Sequence, residues 1–309
     1  MLSVLLIALP IFALIAAGWA AHVSGVLGPL ATGELNRFVV WLALPALLFQ
    51  IVAKARWSEI WQPGFIAVFA LGAGVVFLFT IVVQLRGSRH LADAAVDGLN
   101  SAYANTGFIG FPLAATVLGP AALAPTLIAT IITVCLVFAA AIALIEISLQ
   151  TERHPGRLVI KVARSLVGNP LLIAPALGGV FLAFAVPIPA PLEKFLTLLG
   201  SAASPCALVA LGLFIAEPRP GASPRASTVG LLVGLKLVLQ PLVTWLLATR
   251  VFGLSPLLTQ TAVLMAALPT GTGPFMIAEF YGREAGVTAR VILVSTVASL
   301  LTISAYLAM

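Results

Sequence analysis

Five side chains that can hydrogen-bond a ligand without holding a buried charge stand where an apolar chain is least able to continue as a helix. Asn105 and Thr106, with Tyr103 just before them, lie in AYANTGFIGFPLAATVLG, and Thr270 and Thr272 lie in MAALPTGTGPFMIAEFYG. Amide and hydroxyl groups of this kind suit recognition of a solute. Both stretches are poor helices at their centres. Pro112 removes a backbone donor and clashes with the carbonyl of Phe108, while Gly107 and Gly110 weaken the turn before it; Pro269 and Pro274 flank Gly271 and Gly273 in the same way. Amides and carbonyls freed in hydrocarbon cost several kcal/mol each, so such backbone must line a polar cavity or be buried in protein. Half-helices restarting after each break present unpaired N–H groups and a partial positive charge, a cradle for a carboxylate. The expected ligand is therefore a small organic anion. Facing these breaks should be the Pro-kinked middles of two other helices, Leu44-Pro45 and Ser204-Pro205, which makes Ser204 a further candidate contact.

The elements that position these residues must be membrane spans. Of 309 residues, 61% are hydrophobic and 26 carry charge, 16 Lys+Arg and 10 Asp+Glu, too few to build a soluble surface. A span needs roughly 20 apolar residues. Hydropathy and the Pro/Gly-rich interruptions place ten, near 2–21, 33–52, 64–85, 92–119, 121–148, 166–186, 190–216, 229–249, 255–281 and 285–308. The N-terminal stretch lacks the positive flank of a signal peptide and is read as the first span. No GxxxxGK[ST] phosphate loop occurs, so work must draw on a gradient. Cys135 and Cys206 lie in apolar runs without a spacing partner and suggest neither a disulfide nor a metal site. No cofactor is expected.

The net charge of +6 reads as topology, and no nucleic-acid partner is expected. With the N-terminus outside, ten Lys/Arg (Arg37, Arg86, Arg89, Arg153, Arg157, Lys161, Arg164, Arg219, Arg225, Arg283) fall on inner connections. Four (Lys54, Arg56, Lys194, Arg250) fall outside. The positive-inside rule then predicts that orientation. Trp57 and Trp61 take the outer interface. The basic connection TERHPGRLVIK marks orientation first and attraction to anionic membrane lipid second.

Laid over itself with an offset of 160, the chain matches Pro10 with Pro170, Gly18 with Gly178, Ala43 with Ala203, Pro45 with Pro205 and Leu48 with Leu208. With four more, Thr106-Gly107 falls on Thr270-Gly271. Five spans per repeat is an odd number, so the second half is expected upside down relative to the first, as in many secondary transporters. The expected organisation is a first repeat over 1–150, a cytoplasmic connection over 151–165 and a second, inverted repeat over 166–309.

These residues resemble the auxin efflux carrier family, which includes bacterial members proposed to carry malonate and related acids. The similarity lies in Asn105-Thr106 through Gly110-Phe111-Pro112, Gly168-Asn169-Pro170, LVALGLFIA at 208–216, KLVLQP at 236–241 and AALPTGTGPFMIAEFY at 266–281. The AALP-x-G-x-x-PF pattern is its most specific part. The resemblance implies an all-α integral membrane protein of the auxin-carrier-like, bile-acid-symporter-like fold. That means ten transmembrane helices in two inverted five-helix repeats, with broken fourth and ninth helices crossing at their prolines. It further implies a scaffold of spans one, two, six and seven moving against the other spans, an anion bound at the crossover with Asn105 in contact, and a homodimer. A long hydrophilic loop after span five, present in plant members, is missing, which counts against auxin itself as substrate.

Lys236 lies seven residues into span eight, roughly 10 Å along its axis. It is expected to snorkel and to attract anions or gate their entry. Asp93, Asp97, Glu146, Glu279 and Arg290 read as caps and ion pairs toward the inner ends, and the lack of a deep carboxylate disfavours proton symport. The alternatives are a channel-like protein or a sodium- or proton-coupled symporter of another small solute. An intramembrane enzyme ranks last: His22, His90 and His154 fall at span ends or in loops, and HExxH and GxGD are missing.

Overall fold

In the computed structural model, the described residues are 2–150, 160, 163–164, 166–217 and 225–308. Most of the expected connection over 151–165 lies outside them, as does Arg219. The described elements are helical throughout, and the one exception to helix and turn is an isolated antiparallel bridge between Ala104 and Thr270.

Helix α1 is Leu2–Val23, α2 Ala31–Ala53 and α3 Pro63–Arg86. The fourth segment is split into α4, Leu91–Ala102, and α5, Thr106–Val117. Then come α6 (Pro120–Leu149), α7 (Pro170–Ala183), α8 (Ala190–Ala216) and α9 (Ala226–Val251). The ninth segment is split likewise into α10, Pro256–Ala267, and α11, Gly273–Phe280, and α12 is Ala285–Leu307. Six of these, α2, α3, α6, α8, α9 and α12, are long and apolar enough to cross a membrane. Wider, π-helical turns over Val39–Ala43, Thr106–Gly110 and Leu235–Leu239 run directly into Pro45, Pro112 and Pro241. A proline has no N–H to donate and its ring crowds the turn before it, which a widened turn relieves.

Packing around α2 and α8 is reciprocal. Helix α1 runs along Ala203–Ala216 of α8, and α7 along Leu44–Ala53 of α2. A Cβ on Gly18 would stand 2.1 Å from the Val209 carbonyl oxygen, and one on Gly178 2.7 Å from the Phe49 carbonyl oxygen. Both glycines admit a neighbouring backbone that no other residue would, the small-residue packing that lets membrane helices approach closely. Positions 18 and 178, and 49 and 209, are separated by the same offset of 160 residues. Helices α2 and α8 are also tied at both ends, by the Thr32 hydroxyl donating to Glu217, by Gln50 Nε2 to Thr197 Oγ1 at 2.9 Å, and by the Lys54–Glu193 ion pair at 2.8 Å.

At the end of the molecule where α4 begins, charges pair as the sequence leads one to expect. Asp97 is nearly fully buried and takes hydrogen bonds from Gln84 (2.9 Å) and Arg89 (3.0 Å); Arg89 also reaches Glu284 at 2.8 Å, and Arg283 clamps Asp93. Burial opposes the charge on Arg89, but its hydrogen bonds and attraction to Glu284 and Asp97 outweigh this and raise its pKa above the ordinary guanidinium value. The Tyr281 hydroxyl donates to Glu146 (2.6 Å) and accepts from Asn169 (3.2 Å), joining the ends of α11, α6 and α7.

Candidate functional site

The breaks predicted from Gly107, Gly110 and Pro112, and from Pro269, Gly271, Gly273 and Pro274, meet at the centre of the fold. Helix α4 stops at Ala102, the chain runs extended through Tyr103, and α10 stops at Ala267 with Leu268 extended. The two freed stretches satisfy each other: Asn105 N–H donates to the Pro269 carbonyl at 2.9 Å, and Gly271 N–H to the Tyr103 carbonyl at 3.0 Å. The ring of Tyr103 lies across the second break. A Cβ on Gly271 would stand 2.9 Å from its Cε1, and one on Gly273 2.6 Å from its Cζ, so both positions need glycine for this approach.

The restarting ends are built differently. Asn105 caps α5: its Oδ1 accepts from Phe108 N–H at 3.4 Å, and its carbonyl from Ile109 and Gly110 N–H, both at 3.2 Å. With Oδ1 engaged, the group Asn105 offers a ligand is its Nδ2 donor pair. The Thr106 hydroxyl is buried with no partner among the described residues. Thr272 precedes α11, and its carbonyl accepts from Met276 N–H at 3.1 Å.

The ending sides are closed by α9. Gln240 Nε2 donates to the carbonyl of Ala102, last residue of α4, at 3.2 Å; Lys236 Nζ donates to the carbonyl of Ala266, in the last turn of α10, at 2.7 Å. Helix C-termini leave carbonyls without an intrahelical donor, and two side chains four residues apart supply one to each. The expected snorkelling of Lys236 is therefore corrected: it is completely buried, because the broken end of α10 offers its ammonium an acceptor inside the protein. Gln240 stands in the KLVLQP stretch and escaped notice as a polar residue, although its spacing from Lys236 is the signal for a shared helix face.

A cavity of about 60 Å³ opens beside the crossover, room for about two waters. Of the residues singled out above, Tyr103, Asn105, Thr106, Gly107, Gly271, Thr272, Gly273 and Ser204 line it. Leu44, Leu47, Leu48 and Ile51 of α2 and Ala203 and Ala207 of α8 complete the facing wall, next to Pro45 and Pro205. Thr270 does not line it. Its hydroxyl donates to the Asn100 carbonyl at 2.7 Å, and its N–H to Ser295 Oγ at 3.1 Å, so it holds the crossover together. Gly110, Pro112, Pro269, Pro274 and Lys236 likewise shape the surroundings without lining the cavity. Thr130 of α6 lines it and was not anticipated; the helical spacing of Thr126 and Thr130 was its trace in the sequence.

With this geometry in view, comparison with known proteins is decisive. The profile of the family described as "Membrane transport protein" matches residues 4–307. The chain belongs to this membrane transport protein family, the auxin efflux carriers. It is 34% identical over 281 residues to a protein of Rhizobium meliloti (strain 1021) named "Putative malonate transporter", covering 90% of this chain and 86% of that one. It is 27% identical over 301 residues to an "Uncharacterized transporter" of Methanothermobacter thermautotrophicus, covering 96% and 94%. This family member is thus a multi-pass, all-helical membrane transport protein and not an enzyme.

Proposed function

We propose that the protein is a secondary carrier that moves a small carboxylate across the cell's inner (plasma) membrane by alternating access, with the anion bound at the crossover. The observation that carries this reading is the cavity itself: the Asn105 and Thr106 side chains, at the start of α5, converge there with Thr272 and the Gly271–Gly273 backbone at the start of α11. Helix N-termini and neutral donors form an anion site. The relative named for malonate makes dicarboxylates the first class to test.

In this reading the chain has ten spans in two inverted halves, 1–150 and 166–309, joined by the cytoplasmic connection 151–165, with the N-terminus outside and a homodimer as the working unit. The reciprocal contacts of Gly18 with Val209 and Gly178 with Phe49 support the pseudo-symmetry. Helices α1, α2, α7 and α8 serve as scaffold. In this reading α5 and α11 move relative to α2 and α8, opening the cavity of about 60 Å³ to each side in turn.

Proteoliposome uptake of labelled malonate, other small acids and indole-acetate, under an imposed membrane potential and separately a pH gradient, tests the proposal. Saturable uptake with counterflow is expected of a carrier. Flux that neither saturates nor shows counterflow is that of a channel, and no movement of any acid under either gradient removes the anion reading.

A further inference from the structure

Lys236 is an ammonium group with no exposure at all, in the middle of the fold of a membrane protein. Among the described residues its one hydrogen bond is to the Ala266 carbonyl, and none of the ion pairs involves it. An ionisable group held this deep is costly and marks function by default. Capping alone does not require a charge, because the equivalent carbonyl at the end of α4, that of Ala102, is served by the neutral Gln240.

The crossover's own dipoles sharpen the point. Four helix ends meet there. The beginnings of α5 and α11 carry partial positive charge, and the ends of α4 and α10 carry partial negative charge of about the same size. The negative ends offset part of the attraction that the two N-termini offer an anion in the cavity. Protonated, Lys236 places a positive charge on the end of α10, and only Ala267, Leu268, Pro269 and Thr270 separate the carbonyl it caps from Gly271 on the cavity wall. The unpartnered Thr106 hydroxyl in that wall is the second sign that a ligand completes the site.

We propose that Lys236 is the fixed countercharge for the transported anion, a positioning residue that acts through the Ala266 carbonyl and the crossover without touching the substrate. It gives the site its preference for a carboxylate over an uncharged molecule of the same shape, and it makes a co-bound metal cation unnecessary. This inference rests on the carboxylate reading above.

The test compares malonate with its uncharged diamide, malonamide, as competitors of labelled malonate on the purified full-length protein, and as ligands raising its melting temperature. In the native protein malonate should outcompete the diamide at least tenfold. In Lys236→Met that advantage should fall tenfold or more, while Lys236→Arg retains most of it. If Lys236→Met weakens acid and diamide equally, or neither, Lys236 is a structural cap and the proposal is overturned. If the native protein binds no carboxylate, the failure is that of the anion reading. Should Lys236→Met not fold, native uptake with sodium replaced by choline decides: unchanged uptake supports the fixed charge, and a fall of more than fivefold overturns it.

Discussion

At the first break three residues with polar side chains, Tyr103, Asn105 and Thr106, line the cavity, whereas at the second break Thr272 does so between Gly271 and Gly273, and Thr270 turns away to bind Asn100 and Ser295. The two stretches answer each other in sequence, each with threonine, glycine and proline, yet the first presents three polar residues to the cavity and the second presents one, Thr272, flanked by glycines. Likeness of sequence does not entail likeness of chemistry. Tyr103 explains the inequality: its ring lies across Gly271 and Gly273, so these two positions must lack side chains for the ring to lie there.

That inequality can be broken most forcefully at Gly273. Gly273→Ala puts a methyl against the Tyr103 ring and should abolish transport, and adding Tyr103→Leu, which removes the ring, should restore part of it; a fully active single variant would show that the ring does not rest there. Next in size, Asn105→Ala should lower uptake about tenfold or more, as expected for one hydrogen bond to a charged ligand, with folded yield kept and the lost cap of α5 costing about 1 kcal/mol of stability. The matched pair Thr270→Val and Thr106→Val should then separate the two breaks. Loss of the Thr270 hydroxyl leaves the buried Asn100 carbonyl without that donor and should cost about 1–3 kcal/mol of stability, read as a lower melting temperature. Thr106→Val removes a hydroxyl that has no partner among the described residues, so melting should hold while the apparent affinity for substrate falls severalfold. Equal behaviour of the two threonine variants would erase the distinction. The smallest effect is expected at Gln240→Leu, where the Ala102 carbonyl loses its cap at a cost of about 1 kcal/mol in stability, with substrate preference unchanged.

Much of this was legible beforehand. The helices lie within four residues of the expected spans, because runs of apolar residues bounded by Pro, Gly and charge have few other solutions in a bilayer. The broken stretches were legible from Gly and Pro, and the neighbours of Pro45 and Pro205, among them Leu44 and Ser204, line the cavity. What misled was depth. Counting residues from the start of span eight made Lys236 look close enough to the interface to snorkel, since a one-dimensional count is blind to the broken helix end that gives the ammonium an acceptor inside. Thr270 and Thr106 were indistinguishable for the same reason: which way a hydroxyl faces at a break depends on what packs behind it.

The sequence by itself determined the membrane class, the position of each long helix, the two breaks and the residue types gathered there, all properties carried by local composition and by the cost of unpaired backbone in hydrocarbon. Tertiary structure alone decided that the breaks pair through Ala104 and Thr270, that Lys236 and Gln240 close the ends of α10 and α4, and that Thr106 faces the cavity while Thr270 does not. These are contacts between segments more than a hundred residues apart or across helix faces. Burial there makes each hydrogen-bonding group choose a partner, and only the packed chain determines which partners are within reach.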